Sequence, residues 1–253
     1  MTHLLIALTI FVCVFASAML GLYVRTRLPE HHLSDESSST IKLATGLVAT
    51  IAALVLGLLT SSAKNSFDTV SADLVRNAVT VLQLDRELAQ YGPEAHDLRV
   101  SLKQNYAIWV DLLTSGNSNE LARLESPEIL AHLEDFQRKL TQLSPTTAIQ
   151  RQMQARALDI ADSVFAARSL ALLQKRGSLP TLLLIVLVSW LTVIFGTFGL
   201  FAPRNATVIF FFLVCALSAA GAIFVILEMD TPLDGIVRVS AAPLQEALQE
   251  LGK

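Results

Sequence analysis

The stretch LGLLTSSAKNSFDTVSADL, residues 56–74, passes from apolar side chains to Thr60, Ser61, Ser62, Lys64, Asn65 and Asp68 with no proline and no glycine after Gly57. Those two residue types end helices most effectively, so the run predicts a helix that becomes polar and continues. Upstream, Leu43–Ala63 supplies the roughly 20 apolar residues that cross a bilayer. Downstream, Phe67, Leu74, Val81 and Leu88 recur every seven residues, with Val70, Asn77, Leu84 and Tyr91 three positions after each. That heptad pattern, apolar at all but Asn77, predicts a packed stalk. From Ile41 to Gln90 such a helix extends roughly 75 Å, more than twice the hydrocarbon thickness.

Three further runs have the length and composition of membrane spans: Leu4–Val24, Leu179–Phe201 and Thr207–Leu227. Over the whole chain 53% of residues are hydrophobic and 16% charged, which excludes an ordinary soluble composition. Ala16-Ser17-Ala18 has the form of a signal-peptide cleavage site. The start Met-Thr-His lacks Lys and Arg, however, and the apolar run continues to Val24, so a retained anchor is expected. Between the third and fourth spans, Ala202-Pro203-Arg204-Asn205 suffices for a tight helical hairpin. Asn205 is part of an N-x-T sequon and is read as the N-cap of the fourth span.

The expected fold is therefore all-α and integral to the membrane, with four transmembrane helices and a helical insert between spans two and three. Its segments are 1–63 with the first two spans, 64–178 as a cytoplasmic helical bundle, 179–227 as the second hairpin, and 228–253 as a cytoplasmic tail. Breaks at Tyr91-Gly92-Pro93, Ser115-Gly116-Asn117 and Ser144-Pro145 divide the insert into four helices. Ser126-Pro127 and Ser144-Pro145 are expected to open the third and fourth of them, Ser as N-cap and Pro in the first turn. The fourth is expected to run to about Arg176, and Ser178 and Pro180 to start the third span. A short helix around Pro243–Leu251, with Leu244, Leu248 and Leu251 on one face, is expected to dock on the insert. Six flanking cations on the insert's side (Lys64, Arg76, Arg168, Lys175, Arg176, Arg238) against Arg25, Arg27, Lys42 and Arg204 place the insert and both termini in the cytoplasm.

Two groups of residues stand out in this frame. Thr45, Ala49, Ala53, Gly57, Ser61 and Asn65 form a small or polar stripe along the second span, suited to close helix contact or to lining a conduit. Glu228, Asp230 and Asp234, with Arg238, Lys64 and Asp68, are charges that flank the spans. They form either a set of salt bridges or, in an oligomer, an electrostatic ring. The Ala- and Gly-rich run from Ala216 to Ala222 predicts packing of the fourth span against a neighbouring helix.

Other chemistries find little footing. Segment 64–178 carries 13 basic and 14 acidic residues, so no basic face marks a nucleic-acid partner. Cys13 and Cys215 lie in apolar runs as small hydrophobes, and His31-His32 beside Asp35 and Glu36 is read as a solvated loop. No cofactor is expected. Nor is catalysis: there is no glycine-rich phosphate loop, and neither Glu134-Asp135 nor Ser61-Ser62 has a catalytic partner identifiable from sequence.

GLLTSSAKNSFD (residues 57–68) and LEMDTPLDGIVRVSAAPL (residues 227–244) resemble motifs of the bacterial bestrophin-like family, and the resemblance covers nearly the whole chain. The positions that carry it are Gly57, Ser62, Asn65 and Asp68 in the first motif and Glu228, Asp230, Gly235 and Arg238 in the second. The resemblance implies a relation to bestrophins, which are pentameric anion channels with four spans per subunit and a pore along the second span. It thus implies a bacterial inner-membrane homo-oligomer, with the lipid bilayer and inorganic ions as partners. The candidate pore or gate residues are Ile51, Leu54, Val55, Leu58, Ser61, Ser62 and Asn65. The alternative is a non-conducting scaffold or sensor acting through the stalk.

Overall fold

The computed structural model describes residues 2–29, 35–115, 126–174, 180–233 and 235–253. Among the described residues, eight α-helices run in the order α1 (Thr2–Arg25), α2 (Asp35–Tyr91), α3 (His96–Thr114), α4 (Pro127–Thr141), α5 (Ala148–Gln174), α6 (Thr181–Phe201), α7 (Ala206–Asp230) and α8 (Ala242–Glu250). No strand occurs among the described residues. Helices α1, α2, α6 and α7 are long and apolar enough to cross a membrane. The chain forms two compact units, residues 1–66 with 178–230 and residues 67–177 with 231–253.

In the first unit α1 packs against both α6 and α7. Its core joins Ile10, Val14 and Ala18 of α1 to Ala52 and Leu59 of α2, Leu187 and Ile194 of α6, and Ala216 and Ile223 of α7. The closest approach is between α1 and α6. A methyl group on Gly21 would collide with the Gly196 carbonyl, and one on Gly199 with the Ala18 carbonyl. Ser17, four residues before Gly21, donates its hydroxyl to the Thr192 carbonyl at 2.6 Å. Small residues at this spacing let two backbones meet where lipid offers no hydrophobic drive for helix association. The Ser17 that looks like part of a cleavage site is thus a helix-crossing residue.

The α6–α7 turn is fastened twice. The Asn205 side chain accepts the Val208 amide at 2.8 Å, the N-cap read from sequence, and the Arg25 guanidinium donates to the Ala202 carbonyl. On α7 only Ala216 and Ala220 of the small-residue run are buried, while Gly221 has open space around it.

The second unit is a bundle of α2 from Phe67 onward, α3, α4, α5 and α8. Of the eight heptad positions, Val70, Leu74, Asn77, Val81, Leu84, Leu88 and Tyr91 are buried and Phe67 is half-buried. The chain turns at Gly92, whose φ of 128° only glycine adopts without strain, and passes through a 3₁₀ turn, Pro93–Ala95, into α3. α8 docks on α3 as expected, with Leu244 and Leu251 fully buried.

Several helix ends differ from the sequence reading. α2 begins at Asp35 rather than Ile41, placing Asp35 and Glu36 in its first turn, where carboxylates offset the helix dipole. Loop 25–42 is correspondingly shorter. Ser126 stands at the N-cap of α4, but its side chain makes no capping bond. α5 opens at Ala148, three residues beyond Pro145. Thr147 Oγ1 accepts the Gln150 amide at 3.1 Å while Gln150 Oε1 accepts the Thr146 and Thr147 amides at 2.9 and 3.3 Å, a capping box that outcompetes the Ser-Pro start. α7 continues past Leu227, so Glu228 and Asp230 are helical. The pair His31-His32, Ser178 and Asp234 lie outside the described residues.

Candidate functional site

The buried side of α2 in the first unit is narrow: Ser38, Thr45, Ala52, Leu59 and Ala63. At 3.6 residues per turn the last three fall within an arc of about 40°. Leu54, Leu58, Ser61 and Asn65 fall within about 60°, centred roughly 150° from the buried arc. All four are exposed, as are Ile51 and Ser62 on the flank; Leu54 and Leu58 are exposed to 70% and 62%. Val55 differs, being half-buried and packed against the first-unit core.

The small stripe is corrected by this geometry as a contact within the chain. Thr45 is buried and Ala49 half-buried, but Ala53, Gly57, Ser61 and Asn65 are exposed, and a methyl group on Gly57 would meet nothing within 4 Å. The buried side instead follows a spacing of seven, and Thr45, Ala52 and Leu59 occupy it. The outward face of α2 therefore changes along its length from leucine to serine and asparagine. Thr50 and Thr60 return their hydroxyls to the carbonyls of Gly46 and Leu56, so these two polar groups are satisfied inside the helix.

At the opposite end of the span, Lys42 places its ammonium 5.4 Å from the centre of the Phe201 ring. An apolar groove of about 500 Å³ begins there, lined by Thr45 and Ala49 of α2, Phe198 and Phe201 of α6, and Phe211 and Phe212 of α7.

The charge cluster read from sequence is distributed between the two units. Lys64, Glu228 and Asp230 belong to the first, Asp68 and Arg238 to the second. Glu228 is only 3% exposed and its Oε1 lies 3.0 Å from His3 Nδ1, a pairing between α1 and α7 that spans 225 sequence positions. Asp230 is also buried, whereas Lys64 is exposed. Arg238 donates Nε to the Gly235 carbonyl at 2.6 Å, closing the turn that Gly235 permits with φ of 110°. Nothing in the sequence around His3 marks it as a partner of Glu228, 225 positions away.

The second unit has a polar centre that the sequence did not single out. Arg99 donates Nε and Nη2 to the two carboxylate oxygens of Asp85, each at 2.8 Å, and Asp85 Oδ2 also accepts the Gly252 amide at 3.2 Å. The hydrogen bond from Arg99 holds its guanidinium above the usual arginine range, against the opposing effect of burial. Lys103 donates to the Leu251 carbonyl at 2.7 Å, so both bonds secure the end of α8. On α4 the Lys139 ammonium holds the Asp135 carboxyl below the usual carboxylate range. Burial raises the Tyr106 and Tyr91 hydroxyls, Glu94 adding to the effect on Tyr91, so both phenols stay protonated at neutral pH.

Four membrane-length helices joined to a helical bundle define a polytopic, all-helical membrane protein. The family model of the bestrophin-like domain matches residues 12–244, and the chain belongs to that family. The fold is that of a bacterial bestrophin homologue from Klebsiella pneumoniae, at 14% identity with a TM-score of 0.64 over 96% of each chain. A point mutant of the Klebsiella pneumoniae homologue superposes with a TM-score of 0.64 at 13% identity, covering 97% of both chains. A point variant of a protein described as a membrane protein gives 0.65 at 15% identity over 96% of each. No curated protein matches the sequence at a significant level.

Proposed function

We propose that the protein is an oligomeric ion channel of the bacterial inner membrane, with the outward face of α2 lining its axis. The observation that carries this reading is the composition of that face. Leu54 and Leu58, then Ser61 and Asn65, point away from their own chain, and the polar half is costly to leave against lipid. Copies of α2 around an axis would place the leucines, with Ile51 beside them, at a constriction that resists wetting. Ser61, Ser62 and Asn65 would follow as hydroxyl and amide groups able to replace part of an ion's hydration. Val55 belongs to the flank of that constriction, because half of it packs inward. The family relationship supports the same assembly, a homo-oligomer and by analogy a pentamer, with the insert and both termini in the cytoplasm. Its partners are the lipid bilayer around it and the ions it passes, rather than a substrate it transforms.

The experiment is flux through the purified protein in liposomes, read for chloride, sodium and potassium across pH and calcium. Flux of any of them that a bulky reagent at a cysteine placed at position 58 abolishes supports the proposal. Absence of flux under every condition overturns it.

A second reading draws on the seven buried heptad positions of α2. A stalk packed so continuously suits a non-conducting scaffold or sensor, and this becomes the better account if the assembled protein passes no ions.

A further inference from the structure

The heptad of α2 has one polar member, Asn77, and it opens onto a cavity. The space, about 40 Å³, lies between α2, α3, α4 and α5 and is lined by Asn77, Asn105, Tyr106, Trp109, Phe136 and Phe165 among others. Tyr106 and Trp109 stack at a tilt with ring centres 5.6 Å apart, and Phe136 meets Phe165 edge to face at 6.3 Å. Three lining residues are more than nine-tenths buried: Asn77 at 4% exposure, Tyr106 at 5% and Trp109 at 8%. Among the described residues, Asn77 Oδ1, Tyr106 Oη and Trp109 Nε1 have no hydrogen-bond partner.

Buried polar atoms are nearly always satisfied, because desolvation without a partner is unfavourable. Three such atoms around one cavity point to a guest that satisfies them together. Trp109 Nε1 can only donate, Asn77 Oδ1 only accept, and the Tyr106 hydroxyl donates readily. The guest must therefore offer an acceptor to the ring pair and a donor to Asn77. It must also be neutral: apart from Asn77 and Asn105 the walls are aromatic and aliphatic, no charged residue is among them, and a carboxylate would be buried without a cation. An ammonium would leave the indole N–H with nothing to bond. The room, at roughly 10–15 Å³ for each water-sized group, suits only a few heavy atoms.

We infer that this cavity is a binding site for a compact neutral amide, with the carbonyl oxygen taken by Tyr106 and Trp109 and the amide N–H by Asn77. The site is independent of conduction and belongs to the helical bundle alone.

The test uses the full-length protein with W190F, which leaves Trp109 as the single tryptophan of the two in the chain. Acetamide is titrated against its emission, with sodium acetate and methylammonium chloride as charged probes. A saturable change with acetamide and none with either ion is expected. Y106F, which removes one donor and keeps the ring, weakens half-saturation by about fivefold, the worth of one hydrogen bond. N77L weakens it similarly. Y91F also removes a buried hydroxyl without a partner, but one that does not line the cavity, and leaves the titration unchanged. A linear response, an equal response to acetate, or identical curves for wild type and Y106F would overturn the inference. So would a high-resolution map with ordered water only in the cavity of acetamide-soaked protein.

Discussion

Asp85 and Arg99 face each other through two parallel hydrogen bonds of 2.8 Å, and Asp85 also holds the Gly252 amide. One ion pair thereby ties α2 to α3 and fastens the chain just beyond α8. Removing one partner leaves the other charge largely buried, which typically costs about 3–5 kcal/mol. R99A should lower the bundle's thermal midpoint accordingly and expose the segment after α8 to carboxypeptidase. R99K, unable to form the two-pronged contact, should fall between R99A and wild type. A melt of R99A indistinguishable from wild type would contradict this account.

The α1–α6 crossing has no room for a methyl group at Gly21 or Gly199. G21A and G199A should each reduce the yield of folded protein, or its thermal midpoint, far more than G46A or G221A, whose added methyls meet open space. Size-exclusion profiles and melts of the four variants provide the comparison.

Gly57 also has open space within its own chain, yet it lies on the outward side of α2. G57L should leave the subunit folded and disturb assembly or ion flux. Native mass spectrometry and liposome flux separate these outcomes; a fully assembled, fully conducting G57L protein would remove that side of the helix from any interface or axis. L54S with L58S should raise flux by relaxing the apolar constriction, and charge reversal at Asp68 should alter assembly or conduction.

Most of the architecture was legible because its causes are local or periodic. Hydrocarbon thickness sets the length of the four apolar runs, and a seven-residue repeat continues α2 into the bundle. Asn205 caps α7 through an amide three residues away. The misread parts depend on choices between competing local signals or on residues distant in sequence. At the start of α5, Gln150 makes the capping box with Thr147 and also donates to the Tyr91 carbonyl at 3.2 Å, favouring a later start than Ser144-Pro145. Within the membrane part of α2 the sequence offers a stripe at spacing four, whereas the residues that pack against Ile194, Ala216 and their neighbours are Ala52 and Leu59, seven apart. His3 with Glu228 and Asp85 with Gly252 join chain ends to their partners, and no pattern in the sequence connects them.

Asp135 gives a pH-dependent signature. Lys139 lowers its carboxyl in the folded protein, so its contribution to stability is fully present above the ordinary carboxylate range, near 3.9. That contribution is lost as pH falls through the lowered value. D135N should therefore melt slightly below wild type at pH 7, with the difference shrinking as pH falls below the ordinary carboxylate range, as differential scanning fluorimetry can establish.

α2 is a single 57-residue helix without a proline or a break between its membrane half and its bundle half. A residue inserted after Ser66 would advance everything beyond it by about 1.5 Å and turn it by about 100°, whereas a seven-residue insertion would nearly restore the angle. Activity that fails with one added alanine and returns with seven would show the helix to be a torsional gauge, whose setting matters more than its length.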